Sequence, residues 1–201
     1  MHRWQRLIVL LLLVQSALLV PIAYSPYLRF DYIQTLARWL AKAVPPDTVF
    51  LGDSITAAGQ KFNDFRSINL GSNGLQTYQI AGELPKALSY SPRHIAIMAG
   101  TNDAGEGPID PAELAGLWHT ICAEPKVVVT LPTPTSSDEL NQRIAQIDTI
   151  IAAQCKDRAI IDLRHLAGKD GKILAKYTID GTHPSPEGLA IWKAELKKLG
   201  I

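Results

Sequence analysis

The stretch TVFLGDSITAAG, Thr48 to Gly59, passes from four residues with the character of a buried strand into Gly-Asp-Ser, and then into small residues that tolerate a helix. Such a run sets one hydroxyl, that of Ser54, where a strand ends and a helix begins. Downstream the apolar theme returns as SINL at Ser67, HIAIM at His94, KVVVTL at Lys126 and AIIDL at Ala159. These runs are uniformly apolar rather than alternating, which suits strands covered on both faces of a parallel sheet. Helical patterns lie between them. One opens at Ser136, with Glu139 three residues on as a capping box, and carries Leu140, Ile144, Ile147 and Ile151 on one face. The last starts with Ser185 as N-cap and Pro186 as first residue, and presents Leu189, Trp192, Leu196 and Leu199. Strand and helix in alternation predict an α/β, doubly wound domain on a mostly parallel five-stranded sheet.

Upstream of this domain, His2, Arg3 and Arg6 precede eighteen uncharged residues, Leu7 to Tyr24, a membrane-insertion signal. The sequence leaves open whether residues 1–24 stay as a signal anchor or are removed as a signal peptide. Arginines before the segment place its N-terminus in the cytoplasm and the rest of the chain outside, in the periplasm, at the cell surface or, after cleavage, secreted. Residues 25–46 read as an amphipathic juxtamembrane helix with Ile33, Leu36, Ala37, Leu40, Ala41 and Val44 on one side, closed by Pro45 and Pro46. Packing of that face on its own domain is the commoner explanation of such a pattern. The domain itself is expected over residues 47–201.

The chain is 47% apolar and 19% charged, with a formal net charge of +1, so no basic face points to a nucleic-acid partner. Cys122 and Cys155 are its two cysteines, and in an oxidising compartment they could pair; two buried thiols fit the sequence equally well. Neither has the spacing of a metal site, and no metal or cofactor is expected.

In open sheets of this kind ligands bind beyond the carboxyl ends of the strands. There the chain places Gly52-Asp53-Ser54, NLGSNG from Asn69, GTND from Gly100 and DGTH from Asp180. A serine hydroxyl is a weak nucleophile and needs a base, itself oriented by a third group. Asp180 and His183, three apart in a turn, can supply both. A helix start at Ser54 favours negative charge developing at the reacting centre. Gly74, in a tight loop, can offer a backbone N–H and Asn102 a side-chain amide, which together with the N–H of Ser54 make a candidate oxyanion hole. Asp53 reads as a residue holding the loop through backbone N–H groups, and Asp103 as a turn or helix-start residue. Asp162 and His165 repeat the spacing of Asp180 and His183 without a helix start or the DGTH context, and read as surface and packing residues.

The blocks FLGDSIT, NLGSNG, GTND and DGTH, in this order from Phe50 to His183, resemble the four signature blocks of the SGNH or GDSL hydrolase family. The resemblance implies a flavodoxin-like sheet and a serine esterase or lipase-like hydrolase. It matches Ser54 to the nucleophile, Gly74 and Asn102 to oxyanion donors, and Asp180 and His183 to acid and base. Gly74 is preferred to Gly71 because the family's donor closes its block; Leu75 follows where the family often has a polar residue. The expected activity is hydrolysis of small acyl esters, acetyl first, with an O-acetylated envelope glycan as substrate. A lysophospholipase, lipase-like or thioesterase activity, acyl transfer to a sugar, and a non-catalytic binding module are the alternatives.

Overall fold

A computed structural model of the protein describes residues 34–36, 38–41, 44–59 and 66–201. The membrane-insertion segment read from residues 1–24, and residues 25–33 of the juxtamembrane helix, lie outside the described residues. Among the described residues no helix is long and apolar enough to cross a membrane.

Five strands form one sheet: β1 (Thr48–Gly52), β2 (Ser67–Asn69), β3 (His94–Met98), β4 (Val127–Thr130) and β5 (Ala159–Ile161). Their order is β2-β1-β3-β4-β5 and every pairing is parallel. This is the flavodoxin-like doubly wound order, whose strand ends open a crevice where the order reverses, between β1 and β3. The helices are α1 (Ser54–Ala58), α2 (Thr77–Ser89), α3 (Thr101–Gly105), α4 (Pro111–Ala123), α5 (Asp138–Gln154) and α6 (Pro186–Lys198).

The uniformly apolar strands are explained by the two cores they separate. On one face Val49, Leu51, Ile95, Ile97 and Val129 pack with Leu84 of α2, Trp118 of α4 and Ile144, Ile147 and Ile151 of α5. On the other, Phe50, Ala96, Met98 and Val128 meet Ile55 of α1 and Leu189, Trp192 and Leu196 of α6. Successive residues of a strand point to opposite faces, so both sets must be apolar. Trp192 buries its ring yet keeps a partner, donating from Nε1 to Thr130 Oγ1 at 3.0 Å. Leu199 falls just past the end of α6 and is exposed.

Two details differ from the sequence reading. Ser137, not Ser136, caps α5, its hydroxyl accepting from the Leu140 N–H; Ser136 stays outside the helix. The 34–41 segment meets the domain with Ala41 of its apolar face, which packs on the core, and also through polar side chains: buried Gln34 accepts from Asn69 N at 2.8 Å and donates to Ser67 O, and Arg38 reaches Asn69 O. Trp39 and Val44 are exposed. The two cysteines form a disulfide, Cys122 at the end of α4 to Cys155 just past α5.

Candidate active site

Gly52 ends β1 and Ser54 begins α1, so one residue, Asp53, makes the turn. Asp53 caps α1, accepting from Ile55 N at 2.9 Å, and its carboxylate is fully buried. Burial pushes its pKa up to about 6, against the opposing pull of the backbone N–H groups of Ile55 and Thr56. Its loop-holding role is thus visible directly.

Opposite this turn, the loop from Thr178 to Pro184 presents His183. Its Nε2 lies 3.0 Å from Ser54 Oγ, and its Nδ1 lies 2.7 Å from Asp180 Oδ2. The second carboxylate oxygen of Asp180 accepts from the backbone N–H groups of His183 at 2.7 Å and Thr182 at 3.0 Å. Those bonds, with the His183 side chain between the two backbone contributions, hold Asp180 down at about 2. It is therefore an anion at neutral and mildly acidic pH, able to fix the imidazole with Nε2 free to accept the serine proton.

What keeps this loop in shape is a residue the sequence reading did not single out. Thr178 Oγ1 donates to His183 O at 2.8 Å and accepts from Gly181 N at 2.8 Å and Asp180 N at 3.4 Å. A threonine two residues before an aspartate that turns the chain is the available signal. Ser136, displaced from its expected capping role, donates its backbone N–H to Gly181 O at 2.8 Å and so ties the loop to the segment after β4.

Ser54, Gly74, Asn102 and His183 line one open cleft of about 560 Å³, together with Ala57 and Ile179. Gly74 has φ +77, a left-handed conformation in which its backbone is uncrowded. Gly71 has a different duty: a Cβ there would come within 2.5 Å of the Ala57 nitrogen, so it permits the close approach of this loop to α1. The Asn102 amide donates to Leu75 O at 2.9 Å, which orients it. Asp103, next along, accepts from both N and Oγ1 of Thr77 and so joins α3 to the start of α2; burial raises its pKa.

Asp162 and His165 are not part of this arrangement. Asp162 is bound bidentate by Arg164, whose side-chain bonds keep the carboxyl below its usual range, and His165 is exposed.

Residues 50–191, well over half of the chain, match the GDSL-like lipase/acylhydrolase family. No curated protein matches the sequence. Among solved structures, a GDSL-like lipase from Bacteroides thetaiotaomicron shares 23% identity with a TM-score of 0.69, covering 85% of this chain and 97% of its own. A lipase/acylhydrolase from Enterococcus faecalis shares 21% with a TM-score of 0.60, covering 76% and 94%. An acetylxylan esterase from Geobacillus stearothermophilus, solved as a catalytic mutant, shares 16% with a TM-score of 0.62, covering 75% and 92%. At these identities the likeness is one of fold, while the matched family carries the activity: the chain belongs to the GDSL-like lipase/acylhydrolase family and is an ester-hydrolysing enzyme.

Proposed function

We propose that Ser54 attacks the carbonyl of a small acyl ester while His183 Nε2 takes the hydroxyl proton and then returns it to the leaving alcohol. Asp180 orients the imidazole and stabilises the imidazolium. The oxyanion is met by the N–H groups of Ser54 and Gly74 and by the Asn102 amide, whose second hydrogen is not required by Leu75. Water then attacks the acyl-enzyme with His183 as base. The observation that carries this reading is the continuous chain from Asp180 through His183 to Ser54, with contacts of 2.7 and 3.0 Å.

The proposed substrate is an acetyl ester on an envelope glycan, a reading supported by the acetylxylan esterase that shares the fold. An aliphatic acyl ester is the second reading. It is favoured by Ile179, 71% exposed on the wall of the cleft. The domain, residues 47–201, is proposed to stand outside the cytoplasm, behind the apolar segment Leu7 to Tyr24; the Cys122–Cys155 disulfide, a bond that persists in oxidising compartments, supports that location.

Labelling with a serine-directed fluorophosphonate tests the mechanism: wild type is labelled and Ser54→Ala is not. Labelling that survives in Ser54→Ala overturns the assignment. A series of p-nitrophenyl esters from acetate to palmitate then separates the two substrate readings by where kcat/KM peaks.

A further inference from the structure

A second depression, about 530 Å³, shares no residue with the cleft at Ser54. It runs between α5, the segment that follows β4, and the loop around Gly171, and Leu131, Pro132, Pro134 and Ile144 give it apolar walls. Asp148 stands among them. It belongs to the inward stripe of α5 with Ile144, Ile147 and Ile151, is 8% exposed, and its Oδ1 is shut off from solvent with no hydrogen-bond partner among the described residues.

A carboxylate on an apolar helix face is costly unless it is paired. Among the described residues the cation acting on it is Arg164, which also lines the groove. Arg164 is committed elsewhere, its Nε donating to both oxygens of Asp162 at 2.9 Å and its Nη2 to Oδ2. One guanidinium thus faces two carboxylates, and the unmatched negative charge is the one at Asp148. The proposed chemistry at Ser54 makes no use of it.

We propose that this groove is a second ligand site for a small aliphatic molecule bearing a protonated amine, with its chain against Leu131, Pro132 and Ile144 and its ammonium on Oδ2, the accessible oxygen of the Asp148 carboxylate. A neutral alcohol of the same shape fills the walls but leaves the charge unmatched, and a carboxylate ligand meets repulsion. Burial raises the Asp148 pKa to about 6, Arg164 opposing and Asp162 adding to the rise. A bound cation favours the ionised form, so binding weakens as pH falls through that value.

Calorimetric titration of the full chain with n-hexylammonium, 1-hexanol and hexanoate tests this, with Asp148→Asn titrated under identical conditions to cancel any partitioning of the probe. Expected are saturable binding of hexylammonium at pH 7.5, at least tenfold tighter than hexanol, a severalfold weakening at pH 5, and at least a tenfold loss in Asp148→Asn with ester hydrolysis unchanged. Ala145→Phe, placed on the exposed rim of the groove, provides the same loss by filling it should Asp148→Asn fail to fold. The proposal is overturned by hexanol binding as tightly as hexylammonium, by no saturable binding, or by affinity unchanged in either folded variant.

Discussion

Asp180→Asn preserves the size of the side chain that meets His183 Nδ1 at 2.7 Å but removes its charge and presents a donor in place of an acceptor. The expected result is a folded enzyme with turnover lowered about 10⁴-fold, the size of the wrong-tautomer effect in a serine protease. Asp162→Asn, judged by the same assay, leaves turnover unchanged, since Asp162 is held by Arg164. Asp53 yields a stability prediction with a definite sign. Its folded pKa of about 6 stands above the ordinary 3.8, so between those values the unfolded chain releases a proton that the folded chain keeps. Its contribution to stability therefore falls as pH rises from about 4 to about 6, by about 3 kcal/mol in all. Denaturation curves collected from pH 4 to 8 show a loss in the wild type to which Asp103 and Asp148 add with the same sign; Asp53→Asn, which retains an acceptor for Ile55 N, shows a flatter dependence. An unchanged slope in the variant contradicts this account.

Among the elements, the turn carrying His183 depends on a hydroxyl. Thr178→Val keeps the shape and removes three bonds, to His183 O, Gly181 N and Asp180 N. We expect kcat to fall at least tenfold with KM retained, and fluorophosphonate labelling of Ser54 to slow in step because it relies on the same base. The strands were legible because a parallel sheet buried on both faces leaves continuous apolar runs, and HIAIM forms β3 over the predicted residues. The order of the sheet was legible only through the signature blocks, because pairing is decided by contacts distant in sequence. The blocks also brought Ser54, Gly74, Asn102 and His183 to one rim, since each follows a strand or the last loop. The sequence places the start of α5 one residue early: adjacent serines offer the same hydroxyl, and only the folded chain shows that Ser137 caps the helix while the Ser136 backbone N–H donates to Gly181 O. Thr178, Asp148 and Gln34 carry little signal in the sequence because their significance lies in what other parts of the fold bring to them.

For the molecule as a whole, the Cys122–Cys155 bond joins α4 to α5 on one face of the sheet and closes a loop with a sequence separation of 33 residues. By chain entropy such a closure contributes about 3 to 4 kcal/mol. Urea denaturation of a Cys122→Ser, Cys155→Ser variant is expected to show a loss of that order, with ester hydrolysis intact at low temperature because the cleft lies on other elements. The opposite flank of the sheet ends in β2, whose outer peptide groups have no neighbouring strand among the described residues. There the amide of Gln34 imitates a single peptide unit, accepting from Asn69 N and donating to Ser67 O. An uncapped rim is a template on which another copy can add. Gln34, with Arg38 beside it on Asn69 O, thus acts as a stopper against filament growth: Gln34→Leu is expected to sediment as assemblies that enlarge with concentration, while the wild type keeps a constant size.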